Sequence, residues 1–259
     1  DLGLRVLAAD LDPQANLTAA FFDEEELEQF WERDRSTVAS CVDPLIQGTG
    51  DVSEAEAQPV TSQLALLVGD LLLSGFEDQL SEVWPKCQDR DPRAFRVMRA
   101  FWKIIHDAAR AHEANLVLMD LGPNLGAINR AALIAADYVV VPLSPDLFSL
   151  QGLKNLGPAL KRWRSEWSER VSKNPANDLP LPEGSMQPVG YVVLQHSVRL
   201  DRPVKAYDRW IAKIPETYWR YVLGEAPPQY LTLAQDEECL SLLKHYRSLM
   251  PLAQEARKP

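Results

Sequence analysis

Short apolar runs that end in a carboxylate are the main pattern along this chain. Residues 4–9 are mostly apolar and lead to Asp10, and the run from Leu116 to Met119 leads to Asp120. A short apolar run followed by a turn is typical of a buried strand in a parallel sheet. The same pattern predicts further buried strands at Leu64–Val68, Val139–Pro142 and Val189–Leu194.

Longer stretches with helical spacing separate these strands. The apolar residues between Pro92 and His112 follow the 3.6-residue period and predict one long helix. The leucine run Leu71–Leu73 is interpreted as a buried structural turn, with an exposed docking patch as the alternative. Other helices are predicted at residues 23–33, 36–46, 76–84, 127–136, 146–173, 204–222, 237–246 and 251–256. This alternation predicts an α/β fold, in which a mostly parallel twisted sheet is flanked by helices.

Composition fits one large domain. The 259 residues are 46% hydrophobic and 25% charged, which is ordinary for a globular protein. The three cysteines, Cys41, Cys87 and Cys239, lack metal-ligand spacing and indicate reduced thiols in a cytoplasmic protein. No apolar run approaches the roughly 18 residues that a membrane span requires, so no membrane association is expected.

Charge is distributed unevenly. The net charge of -10 argues against general affinity for DNA. Residues 151–220 nevertheless carry 12 Lys and Arg against seven Asp and Glu. The basic helices near residues 161–173 and 205–220 therefore present two alternatives: contact with nucleic acid without sequence preference, or ordinary solvated helix faces.

Candidate chemistry lies at the predicted strand ends. Asp10 and Asp12 follow the first strand and Asp120 follows a later one. Because open α/β sheets bind ligands beyond the carboxyl ends of their strands, we expect these acids to converge. Converging carboxylates usually hold a hydrated Mg²⁺ beside a phosphate. The alternative is that each aspartate only caps a helix or forms a turn, and Asn124 has the same alternative to phosphate contact.

Four sequence segments resemble those of one family, the ParA-type ATPases of the ParA/MinD superfamily, which have a deviant Walker A motif. The segments are Arg5-Val-Leu-Ala-Ala-Asp-Leu-Asp-Pro-Gln-Ala-Asn-Leu-Thr18, Asp120-Leu-Gly-Pro123, Ala135-Ala-Asp-Tyr-Val-Val-Val-Pro142 and Phe148-Ser-Leu-Gln-Gly-Leu-Lys-Asn-Leu156. They resemble the first switch, the Walker B strand end, the next strand, and the start of the following helix. The resemblance implies a P-loop NTPase-like fold of the SIMIBI/ParA type.

The resemblance also implies roles for individual residues. Asp12 matches the switch carboxylate that positions the attacking water, and Asp120 matches the metal-binding acid. Asp10 matches an acid near the metal, and nucleotide contacts are expected from Asp10, Pro13, Asn124 and Gln195. The cofactors implied are ATP and Mg²⁺. The partners implied are a second copy in a nucleotide-switched homodimer, a ParB-like activator and non-specific DNA, in partition of plasmids or chromosomes or in cargo positioning.

The phosphate loop is the main departure from the family. A Gly-rich turn with two lysines should precede the first strand, and no Gly-Lys-Thr occurs in this sequence. Gly122 also stands where the first proline of a Pro-Pro pair is usual. We therefore expect residues 1–259 to be a single ParA-like domain clipped at both ends, with the first strand, phosphate loop and first helix upstream. The alternative is a non-catalytic binding or regulatory module that lacks the loop.

Overall fold

The computed structural model describes residues 3–32, 36–196, 198–199, 202–203, 209–229 and 231–244, with the side chains at 195–203 and 244 excluded. The chain forms two compact units. The first contains residues 1–135, 168–183 and 251–259, and the second contains residues 136–167 and 184–250. The predictions at 204–208 and 251–256 lie outside the described residues.

The first unit alternates strands and helices in the way that the sequence pattern predicts. Its elements are β1 (Val6–Asp10), α1 (Asn16–Phe21), α2 (Glu24–Glu32), α3 (Val38–Gln47), β2 (Gln58–Pro59), β3 (Leu64–Leu67), a 3₁₀ turn (Leu71–Gly75), α4 (Phe76–Lys86), α5 (Pro92–Met98), α6 (Ala100–Ala111), β4 (Leu116–Asp120) and α7 (Ala127–Ala135). The strand order is β2-β3-β1-β4. Strands β3 and β4 both pair parallel with β1, so their carboxyl ends lie at one edge of the sheet.

Local sequence explains several helix ends. Thr37 caps α3 because its hydroxyl accepts a hydrogen bond from the Ser40 amide, and the Ser40 hydroxyl accepts one from the Thr37 amide. The single helix predicted from Pro92 to His112 is instead two, α5 and α6, which separate at Arg99. The Arg99 guanidinium turns into the interior, where Nη2 lies 2.5 Å from the Asp51 carboxylate.

The second unit has its own sheet. Its strands are β5 (Tyr138–Leu143), β6 (Gln187–His196) and β9 (Cys239–Lys244), which are parallel in the order β5-β6-β9. Two short antiparallel strands, β7 (Val198–Arg199) and β8 (Arg202–Pro203), follow β6. The helical elements are α8 (Leu147–Val171), which continues into the first unit, α9 (Ile214–Thr217), a π-helical turn (Tyr218–Leu223) and a 3₁₀ turn (Leu233–Gln235).

Two predictions about secondary structure and burial are wrong. The helix predicted at residues 237–246 is replaced by strand β9, because this apolar run pairs with β6. Strand β4 was expected to be buried, yet Leu116 is 43% and Leu118 is 54% exposed. Strand β4 pairs with β1 on one edge, and within the described ranges no strand pairs with its other edge. Strand β5 is also partly exposed: its buried residues alternate with exposed ones, and Tyr138 is 66% and Val140 47% exposed.

The leucine turn after β3 is only partly buried. Leu73 is fully buried, whereas Leu71 is 55% and Leu72 is 75% exposed. Asp70 holds the start of this turn, because its carboxylate accepts a hydrogen bond from the Leu72 amide. The prediction of a buried turn is therefore correct for Leu73 and wrong for the two leucines before it.

Candidate functional site

The two acid-bearing strand ends are neighbours in the first unit. Asp10 and Asp120 are paired across β1 and β4 in the parallel register. One residue later the Leu11 amide donates to the Asp120 carbonyl at 2.9 Å, so the backbones stay together as both strands end. Convergence of the two strand ends, expected from the sequence, is present in this unit.

Asp10 is fully buried, and one of its two carboxylate oxygens is hydrogen-bonded to Thr18. Its Oδ2 accepts hydrogen bonds from the Thr18 amide at 2.8 Å and from the Thr18 hydroxyl at 2.7 Å. The Thr18 hydroxyl in turn accepts from the Gly69 amide at 2.8 Å, which ties the start of α1 to the end of β3. The other oxygen, Oδ1, is buried and has no hydrogen-bond partner among the described residues.

Burial dominates the ionisation of Asp10. Desolvation raises the pKa of this carboxyl, and the negative charge of Asp120 adds to the increase. The hydrogen bonds from Thr18 act in the opposite direction, because they favour the charged form. Burial outweighs these hydrogen bonds, so the charged form of Asp10 is disfavoured, and a nearby cation would favour it.

Asp12 lies in the turn that connects β1 to α1. Its Oδ1 accepts from the Gln14 amide at 3.0 Å, and its carbonyl accepts from the Ala15 amide at 2.8 Å. Pro13 is a half-buried member of this turn. Ala15 closes the turn in the left-handed conformation, with φ 50°.

The Asp12 carboxylate faces the loop that follows β4. A Cβ atom placed on Gly122 would lie 3.1 Å from Asp12 Oδ1, which is closer than ordinary van der Waals contact. Glycine at this position, where the family usually has proline, therefore permits the close approach of the two turns. Burial raises the pKa of the Asp120 carboxyl, and the charge of Asp12 raises it further.

The loop from Leu121 to Gly126 is held by side-chain hydrogen bonds. Asn124 Oδ1 accepts from the Gly126 amide at 2.8 Å, which is the turn-forming role that the sequence left open. Asn129 of α7 donates to the carbonyls of Gly122 and Asn124. At the far end, Glu77 of α4 accepts from the amides of Ala127 and Ile128 at 2.5 and 2.7 Å.

Gln195 remains untested as a nucleotide contact. It lies in β6, in the second unit, and its side chain falls outside the described part of the structure. The structure therefore brings together Asp10, Asp12 and Asp120 in the first unit, with Pro13 in the turn and Asn124 in the loop.

The acids fit a cation that is bound only partly by protein. Within the described residues, no group of three or more His, Cys, Asp or Glu side chains could hold a metal ion. Mg²⁺ usually keeps several waters and takes one or two carboxylates together with phosphate oxygens. The unpartnered Oδ1 of Asp10 and the raised pKa of Asp120 suit that partial coordination.

Thr18, Gly69 and Glu77 support the site, and the sequence reasoning missed this role. Thr18 is the last residue of the first segment that resembles the family, eight residues after Asp10. No local sequence pattern indicated that its hydroxyl would donate a hydrogen bond to the Asp10 carboxylate. Glu77 is fifty residues from its partner Ala127. Its position in the first turn of α4 gave no signal for a contact so distant in sequence.

The fold defines a class: α/β proteins with a mostly parallel sheet, here with two acids at the ends of neighbouring strands. Residues 1–173 match the AAA_31 family model, described as an AAA domain. The match covers well over half of the chain, so the chain belongs to this family. The resemblance to ParA-type ATPases is confirmed by this match together with the relatives below.

The curated relatives include a sporulation inhibitor and a chromosome partitioning protein. The chain is 26% identical over 155 residues to the sporulation initiation inhibitor protein Soj of Bacillus subtilis, which covers 60% of this chain and 52% of Soj. It is 28% identical over 173 residues to the chromosome partitioning protein ParA of Caulobacter vibrioides, which covers 65% of this chain and 55% of ParA. The matched region thus spans about half the length of these relatives.

Solved structures share the fold. Protein DIP2308 from Corynebacterium diphtheriae has a TM-score of 0.73 at 22% identity, covering 98% of this chain and 88% of that one. The ATP complex of McdA from Cyanothece has a TM-score of 0.58 at 18% identity, covering 83% and 68%. The predicted α/β fold of the P-loop ParA type is confirmed. Among the helices that the structure describes, none combines the length and apolar character needed to cross a bilayer.

Proposed function

We propose that this chain is the core of a ParA-like protein that binds and hydrolyses ATP with Mg²⁺. The observation that carries the proposal is the convergence of two paired strand-end carboxylates, Asp10 and Asp120, with Asp12 facing the loop after Asp120. The ATP complex of the similarly folded McdA supports ATP as the ligand. Mg²⁺, when bound, would neutralise phosphate charge during transfer.

The three acids have different proposed roles. Asp120, which is the more exposed of the strand-end pair, would hold Mg²⁺ through water, and Asp10 would support it from the interior. Asp12 would accept a hydrogen bond from the attacking water and orient it. Pro13, Asn124 and Gln195 remain proposed nucleotide contacts. Of these, Asn124 would contact a phosphate through its Nδ2 donor, since its Oδ1 accepts from the Gly126 amide.

We also propose that residues 1–259 form one domain with a βα unit encoded upstream. Two features of β4 support this proposal. In the described ranges no strand pairs with its second edge, and its Leu118 is 54% exposed. Parallel strands are normally covered on both faces. A further strand, phosphate loop and helix beside β4 would cover these leucines and supply the backbone amides that cradle phosphates.

ATP turnover by the full-length gene product tests the proposed mechanism. We expect Asp12→Ala to lower kcat by at least about 100-fold, because water positioning is lost, while ATP binding persists. Asp89→Ala removes an exposed acid from the same unit and serves as the matched control. Wild-type turnover in Asp12→Ala would contradict the role of Asp12. Absence of ATP binding by the wild-type protein would favour the alternative, a non-catalytic ParA-like module.

The partition role rests on the relatives. The chromosome partitioning protein ParA supports a role in DNA partition, and a nucleotide-switched homodimer with a ParB-like activator is proposed by the same analogy. Cargo positioning is the other proposed use of the switch. A cytoplasmic location remains a prediction from the reduced cysteines.

In the basic segment near residues 161–173, the cation of Arg164 is bonded within the protein. Arg164 donates to the carbonyls of Ser185 and Met186, and Trp163 and Trp167 are buried, so these side chains pack inward. Arg162 remains exposed and is a candidate for non-specific DNA contact. We expect Arg162→Glu to weaken binding of duplex DNA and to reduce its salt dependence. Equal affinity of Arg162→Glu and wild type across a salt titration would remove this patch from the proposal.

A further inference from the structure

Glu77 makes a contact that reaches the candidate site from a separate helix. Its two carboxylate oxygens accept hydrogen bonds from successive amides, Ala127 and Ile128, at 2.5 and 2.7 Å. These amides belong to the first turn of α7, where backbone N–H groups have no partner within the helix. A carboxylate at this position also interacts favourably with the helix dipole, and such charge-assisted bonds are stronger than neutral ones.

The loop that carries the site ends at this contact. It leaves β4 at Asp120, is fixed to β1 at that end, and enters α7 after Gly126. A Cβ atom on Gly126 would lie 2.6 Å from Glu77 Oε1, so the carboxylate packs directly against the loop backbone. The bonds of Asn124 and Asn129 lie within the loop and α7, whereas Glu77 anchors them to another element.

Glu77 also connects this loop to the end of β3. It lies in the first turn of α4, directly after the 3₁₀ turn Leu71–Gly75. That turn follows Gly69, whose amide donates to Thr18 and through it contacts the Asp10 network. The segment 69–77 is therefore bonded to the Asp10 side of the site at one end and to the Asp120 loop at the other.

We propose that Glu77 is a positioning residue that fixes the Leu121–Gly126 loop, and with it Gly122, which the Asp12 carboxylate faces. This inference deepens the proposed function, since positioning matters catalytically only if the site hydrolyses ATP. Glu77 acts on this loop through the α7 amides.

Amide hydrogen exchange, measured without any ligand, tests whether Glu77 fixes the loop. In Glu77→Gln one of the two amides loses its acceptor and the charge is removed. We expect residues 122–128 to exchange at least about tenfold faster than in wild type. Asp78→Asn removes the neighbouring exposed charge of α4 and should leave this exchange unchanged. Glu77→Asp keeps the charge but shortens the side chain by one methylene. We therefore expect a smaller increase in the amide exchange rate of residues 122–128. Equal exchange in Glu77→Gln and Asp78→Asn would overturn the proposal.

Steady-state kinetics of the full-length gene product test the catalytic half. We expect Glu77→Gln to lower kcat about tenfold and to change KM for ATP by less than this factor. Loop position affects water positioning by Asp12 in the transition state, whereas Asn124 is the loop's one proposed contact with bound nucleotide. Equal kcat for Glu77→Gln and Asp78→Asn overturns positioning even if exchange differs. If the wild-type protein shows no turnover, the proposed function fails separately, and the exchange experiment still decides whether Glu77 fixes the loop.

Discussion

Substitution of Thr18 by valine removes one hydroxyl that serves two buried partners. The hydroxyl donates to Asp10 Oδ2 at 2.7 Å and accepts from the Gly69 amide at 2.8 Å. Thr18 and Asp10 are both fully buried, so water cannot replace either bond. Valine preserves the size of the side chain, and the change therefore reports mainly on hydrogen bonding.

The expected loss of stability is large. A hydrogen bond to a charged group contributes about 1.5–3 kcal/mol, and a buried amide without an acceptor costs about 1–3 kcal/mol. Together these effects predict that Thr18→Val lowers the free energy of unfolding by about 2.5–6 kcal/mol. For a chain of this size, that corresponds to a decrease in Tm on the order of 10 °C.

The loss should depend on pH in a defined direction. Burial raises the pKa of Asp10 above its ordinary value of 3.8, so ionisation of this group costs stability as pH rises through its folded-state pKa. The bonds from Thr18 oppose that increase by favouring the charged form. Without the hydroxyl, the charged form is less stable still. The effect of Thr18→Val should therefore be greatest near pH 7 and should shrink as the medium becomes acidic.

Chemical denaturation followed by circular dichroism measures both effects, with Thr18→Ser as the matched control. Serine keeps the hydroxyl and loses one methyl group, which costs about 1 kcal/mol. If valine and serine variants were equally stable at pH 7, the hydrogen-bond argument would be refuted. A loss for valine that stayed constant from pH 7 to pH 4 would refute the part assigned to Asp10.

Two further substitutions test the strain and the charge of the site. Ala15→Gly should raise the free energy of unfolding by about 0.5–1 kcal/mol, since Ala15 has φ 50° and glycine adopts this conformation without strain; a lower urea midpoint would contradict this. Asp120→Asn should raise the denaturation midpoint at pH 7, because the raised pKa of Asp120 means that its charge opposes folding. That gain should vanish below the ordinary carboxyl pKa of 3.8, where Asp120 is protonated in both states; a lower midpoint at pH 7 would show that the charge does not oppose folding.

The strand ends were predictable because their signal is local. A short apolar run followed by an acid and a turn placed Asp10 and Asp120 correctly, and parallel pairing then required them to be neighbours. The partners of these acids were not predictable in the same way. The bond from Thr18 to Gly69 joins residues 51 apart, and that of Glu77 joins residues 50 apart. Such pairs depend on tertiary packing, which a period of 2 or 3.6 residues does not encode.

Apolar periodicity was also ambiguous in the second unit. The run Cys239-Leu-Ser-Leu-Leu-Lys244 fits either a short helix or a strand, and pairing with β6 decides for the strand. The helix predicted from residue 92 to 112 failed for another reason. Arg99 is buried at 5% exposure and contacts Asp51, a residue of a loop that the helical pattern could not reveal as a partner.

The exposed leucines of β4 have a consequence for how the protein is made. Among the described residues, no strand pairs with the outer edge of β4, and Leu116 and Leu118 are open to solvent. Such an edge is a template for pairing between copies, and hence for aggregation. Under the proposed arrangement, the covering strand is translated before β4 leaves the ribosome. The edge would then be paired as soon as it forms, which would limit aggregation of nascent chains.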